Sequence, residues 1–186
     1  LREVLRELEP DLVITIAYGR LIKAMELSLP KHGWLNVHFS LLPRWRGAAP
    51  VQRAILHGDS ETGISIFRLE EGMDTGPVYA THKVSLNGSE TYGALLNELS
   101  LLAAPVMLAV LTQIESGESP NPQSEDGVTL APKHNTLALL CCLVSSAVFT
   151  PLHNPALICG FLLATMLMPM PVPQIKMPSS ELLFVI

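Results

Sequence analysis

Two apolar, β-prone runs joined by a short helical stretch constrain this chain most. Residues 12–17 (Leu-Val-Ile-Thr-Ile-Ala) are almost continuously apolar, the pattern of a strand covered on both faces in a parallel sheet. Tyr18-Gly19 ends that run, residues 21–27 carry helical spacing until Pro30, and residues 34–39 form the second strand. Strand, helix, strand is the βαβ crossover, so the expectation is an α/β fold with a mostly parallel sheet.

The neighbouring pattern extends that framework. Leu1, Val4, Leu5 and Leu8 mark an amphipathic helix ahead of Pro10, and Pro50 suits the first turn of a helix ending near His57. Residues 63–69 and 78–84 read as strands bracketing a glycine-flanked loop that contains Asp74. Beyond Thr91, the positions Leu95, Leu96, Leu99, Leu102, Ala103, Val106, Val110 and Ile114 recur at helical spacing, with a bend expected at Pro105. Residues 115–127 are polar and rich in Ser, Gly and Pro, which predicts a surface loop or linker.

From residue 135 the composition changes. All but one of the 12 Lys and Arg, and all but one of the 17 Asp and Glu, lie within residues 1–133, and residues 136–175 carry no charge. Two apolar runs, 137–150 and 156–170, are each shorter than the roughly 20 residues of a spanning helix. Two units are therefore expected: a domain over 1–133, and an apolar, Pro-rich tail over 134–186 whose structure the pattern leaves undefined and which could contact a membrane. All three cysteines fall in that tail, so neither a disulfide framework nor a metal cluster is expected. A net charge of −5 supplies no nucleic-acid footprint by itself.

Asn36 and His38 are two apart in the second strand, so both side chains face one side of the sheet. Asp74 supplies a carboxylate that could partner the histidine. Transfer to an amine needs a base for the proton the nitrogen sheds and a donor for charge on a carbonyl oxygen. An imidazole, an amide NH₂ and a carboxylate meet those needs. The alternative is plain structure: Asn36 and His38 as packing residues, Asp74 as a turn cap, and Arg44 and Arg46 solvated or paired with acids such as Glu70 or Glu71. Asp59 and Glu61 read as turn and cap residues, and the remaining histidines as surface or packing residues.

The run Gly33-Trp34-Leu35-Asn36-Val37-His38-Phe39-Ser40-Leu41-Leu42-Pro43-Arg44-Trp45-Arg46-Gly47-Ala48-Ala49-Pro50 resembles the methionyl-tRNA formyltransferases of the folate-dependent formyltransferase superfamily. Pro10-Asp11-Leu12, Ala17-Tyr18-Gly19, Gly58-Asp59, Thr62-Gly63 and Met73-Asp74-Thr75-Gly76-Pro77 follow in that family's order, and residues 129–133 resemble the end of its catalytic domain. The resemblance implies a partial Rossmann-like formyltransferase domain that moves a formyl group from 10-formyltetrahydrofolate to the amine of initiator methionyl-tRNA. It implies Asn36, His38 and Asp74 as the catalytic set. The folate would meet Ala17, Tyr18, Gly19, Ser40, Leu41, Leu42, Pro43, Glu71 and Asp74, and the tRNA would meet Arg44 and Arg46. A nucleotide-sugar formyltransferase and a non-catalytic, membrane-associated fragment are the alternatives. The family has further strands ahead of the matching region and a β-barrel domain after it, so this chain is expected to be incomplete at both ends and, alone, poorly folded or inactive. It would be a monomer when complete, in the bacterial cytoplasm or in a mitochondrion or plastid.

Overall fold

The computed structural model describes residues 1–18, 21–133 and the backbone of 182–185. Its elements are α1 (Arg2–Leu8), β1 (Leu12–Ile16), α2 (Ala24–Leu27), β2 (Trp34–His38), α3 (Pro50–His57), β3 (Glu61–Arg68), β4 (Val78–Ser85), α4 (Tyr92–Glu115) and β5 (Leu182–Val185). They form one sheet in the order β4-β3-β2-β1-β5.

The expected crossover is present: β1 and β2 are parallel, with Val13 opposite Trp34 and Ile16 opposite Val37. The backbone of β5 adds a second parallel pair on the far side of β1. The sheet is nonetheless mixed, not mostly parallel. The two longest strands, β3 and β4, are antiparallel partners, and β3 also runs antiparallel to β2.

The correction has a local cause. Asp59, just ahead of β3, accepts hydrogen bonds from Arg44 Nε at 2.9 Å and Trp45 Nε1 at 2.7 Å. Those bonds tie the start of β3 to the loop leaving β2. The chain thus re-enters the sheet at the edge it has just left and must run back. Between β3 and β4 the short loop holding Asp74 makes a hairpin, which is antiparallel by construction.

Alternation along the strands sorts side chains into two layers. Leu12, Ile14, Leu35, Val37, Ile64 and Ile66 face α4, which buries Leu95, Leu99, Ala103, Met107 and Val110 against them. Those helix positions step by three or four residues, so one face of α4 meets the sheet. Thr91 caps α4 by accepting from the Ala94 N–H, and the helix continues through Pro105. On the opposite layer Leu5, Val13, Ile22 and Trp34 pack together, while Leu1 and the α1 residues Val4 and Leu8 stay exposed.

Residues 118–131 are not a free linker. Asn121 and Val78 exchange backbone hydrogen bonds of 2.7 and 2.9 Å, and Ala131 donates to the Arg46 carbonyl at 2.7 Å. This strap therefore crosses both loops at the ends of β2 and β3. The apolar runs 137–150 and 156–170 lie outside the described residues, as does most of the expected tail.

Candidate active site

Trp34, Asn36 and His38 share the face of β2 opposite α4. Asn36 and His38 form the floor of a cleft of about 460 Å³ whose walls include Tyr18, Ile22, Leu27, Leu69, Met73, Asp74, Tyr92 and Leu96. Apolar walls over a polar floor suit a flat heteroaromatic ligand with one reacting polar group.

Each floor residue is held by a neighbour. The Thr15 hydroxyl, on adjacent β1, lies 3.0 Å from both Asn36 Oδ1 and the Leu35 carbonyl. The one hydroxyl hydrogen is shared between these two acceptors, and with Oδ1 turned to Thr15 the NH₂ of Asn36 is left for the cleft. His38 is 4% exposed and its ring edge meets Phe67. Its Nε2 lies 2.8 Å from the Trp45 carbonyl oxygen, which can only accept, so Nε2 carries the hydrogen. Nδ1 then bears the lone pair, and it faces Asp74 Oδ2 at 3.7 Å. Burial pushes the His38 pKa below its ordinary value, against opposing pulls from the Asp74 charge and the Trp45 carbonyl. The ring is neutral at pH 7.

Asp74 is seated by the backbone of the basic loop. Its Oδ2 accepts from the Gly47 N–H at 2.7 Å, and the residue has a left-handed φ of 53°. Gly47 itself sits at φ 122°, where an added Cβ would lie 2.7 Å from the Ala131 carbonyl oxygen. Glycine is required there by conformation and by space.

The other expected site residues divide. Ala17, Tyr18 and Asp74 line the cleft; Gly19 lies outside the described residues. Ser40, Leu41, Leu42, Pro43 and Glu71 are not among its walls, where Glu70 and Gly72 stand instead. Ser40 is buried and Leu42 N–H bonds to Ser65 Oγ, so this segment braces the floor from behind. Arg44 stacks on Trp45 at 4.5 Å and pairs with Asp59, not with Glu70 or Glu71. Arg46 donates twice to Gln123 Oε1, at 3.1 and 2.7 Å. Sequence pattern does not mark Thr15, Asp59 or Gln123 as supports of the site. A buried threonine in an otherwise aliphatic strand was the one visible signal, since an apolar residue would fit there without needing a partner. Among the described residues, no three His, Cys, Asp or Glu side chains lie close enough to hold a metal ion.

A profile of the family described as Formyl transferase matches residues 1–111. The chain belongs to this family. It is 51% identical over 131 residues to the methionyl-tRNA formyltransferase of Cutibacterium acnes, covering 70% of this chain and 42% of that protein. With the Salinispora tropica enzyme of the same name it shares 55% over 130 residues, covering 69% and 42%. The chain thus spans about two fifths of the length of the curated relatives it matches. Among solved structures, HypX from Aquifex aeolicus in complex with tetrahydrofolic acid superposes with a TM-score of 0.65 at 24% identity, over 73% of this chain and 23% of that one. At that identity the likeness concerns the fold.

Proposed function

We propose that this chain carries the transfer site of a methionyl-tRNA formyltransferase, moving the formyl group of 10-formyltetrahydrofolate to the amine of methionyl-tRNA. The observation that carries this reading is the meeting of Asn36, His38 and Asp74 at the floor of one apolar-walled cleft. The donor set fits the cosubstrate: an amide N–H for a carbonyl oxygen, a neutral imidazole for a proton, and apolar walls for a pterin. When bound, the folate supplies an activated formyl carbonyl.

The residues divide the remaining work. Asn36 Nδ2 donates to the carbonyl oxygen as negative charge gathers there. His38 Nδ1 takes the proton that the attacking amine sheds, and Asp74 stabilises the resulting imidazolium across 3.7 Å. As the new C–N bond forms and the old one breaks, His38 returns that proton to the departing nitrogen. Among the described residues, Arg46 has the neutral Gln123 as its side-chain partner and no ion pair, whereas Arg44 is neutralised by Asp59. Arg46 is the better candidate for a tRNA phosphate.

Relatives above 50% identity support methionyl-tRNA over an amino sugar as acceptor. The test is a graft: residues 1–131 of this chain replace the matching segment of the Cutibacterium acnes enzyme. The graft should formylate methionyl-tRNA and leave nucleotide-linked amino sugars untouched. Transfer to the sugar alone would move the assignment to the sugar enzymes.

A further inference from the structure

Gln123 lies in the polar strap that reads from sequence as a surface loop or linker, yet its carboxamide makes four hydrogen bonds. Nε2 donates to the Asp74 carbonyl at 2.8 Å and to the Gly76 carbonyl at 2.7 Å. Oε1 accepts from Arg46 Nε at 3.1 Å and Nη2 at 2.7 Å. Backbone carbonyls only accept and a guanidinium only donates, so the amide has one possible orientation and its full capacity is used. Either flip or loss would leave several groups unmatched.

These bonds join the two loops that make the site. One is the hairpin loop bearing Asp74. The other is the basic loop, whose Gly47 N–H seats the Asp74 carboxylate and whose Trp45 carbonyl fixes the His38 tautomer. The loops come from different strand ends. Asp74 needs such an external hold because it sits at a left-handed φ in a turn with glycine at positions 72 and 76.

We propose that Gln123 is a positioning residue: by clamping the Asp74 loop to Arg46 it sets the distance between the Asp74 carboxylate and His38. Its catalytic consequence rests on the function proposed above, but the clamp can be tested without turnover. Among the described residues, Asp74 is the charged group paired with the His38 ring, which also meets Phe67 and the Trp45 carbonyl.

The experiment uses the full, isotope-labelled chain. His38 ring resonances are followed against pH, and exchange of the Gly47 amide is measured at fixed pH. Asp74→Asn should lower the His38 pKa by about one pH unit, the usual worth of a nearby opposite charge. Gln123→Met, nearly the same size but without N–H groups, should lower it comparably, and the double variant should add nothing. Gly47 exchange should quicken in Gln123→Met, because the seat of Asp74 is lost. Should low pH unfold the chain before His38 titrates, the Gly47 result decides.

A native His38 pKa and native Gly47 exchange in Gln123→Met would overturn the clamp, and so would additive shifts in the double variant. Lack of response to Asp74→Asn would overturn it too, by removing the contact it is said to set. Gln123 lies outside the core clusters, so loss of the sheet in Gln123→Met would likewise contradict a purely positioning role. Failure of formyl transfer with these shifts present would count against the proposed function alone.

Discussion

His38 is neutral because the fold buries it, and that has a consequence for stability. Its folded pKa lies below the ordinary value of 6.5, so at mildly acid pH the unfolded chain binds a proton that the folded chain refuses. Stability from this source is intact above about 6.5 and is lost as pH falls from there towards the folded value. His38→Gln should therefore flatten the change in urea midpoint between pH 7.5 and pH 5.5; an unchanged slope would show that His38 is not the group responsible. Thr15 offers a second test. Thr15→Val keeps the volume but removes the hydroxyl beside Asn36. Transfer in the graft should fall about fivefold to tenfold, the worth of one hydrogen bond of roughly 1 kcal/mol, with Thr15→Ser near native. A native rate in Thr15→Val would mean that Asn36 needs no help to aim its amide.

Among the elements, α4 shows how far sequence periodicity reaches. Leu95, Leu99, Ala103 and Val110 were legible as a buried stripe because a 3.6-residue repeat needs only local information. Leu99→Ala should cost about 2–5 kcal/mol by urea denaturation, while Leu101→Ala, 70% exposed on the other face, should cost under about 0.5 kcal/mol. Equal losses would mean the helix is rotated from the position described. Strand direction was not legible in the same way. Strands β1 to β4 were placed nearly correctly and β5 was not, but the antiparallel course of β3 depends on Asp59 reaching Arg44 and Trp45, side chains 15 and 14 positions away. Nothing in a run of apolar residues records such a tie. The strap around Gln123 was legible as a surface loop, but its ties were not, since a lone glutamine among Ser, Pro and Glu also has the composition of a linker.

For the whole molecule, the proposed centre of Asn36, His38 and Asp74 rests on a scaffold spanning about two fifths of the length of its relatives. Asn36 and His38 were legible because a strand alternates faces, and Asp74 was legible through the family motif around it. That Asp74 could partner His38 was legible too; the groups that hold them together were not, because the Gly47 N–H, the Trp45 carbonyl and Gln123 are all supplied by loops. These groups are expected to work as one unit, which single-turnover formyl transfer to methionyl-tRNA can decide. In the graft, His38→Ala and Asp74→Ala should each slow transfer at least about 100-fold, the usual contribution of a positioned acid–base group. The double variant should be little slower than the worse single one. Near-native rates in either single variant, or losses that simply multiply in the double, would contradict that expectation.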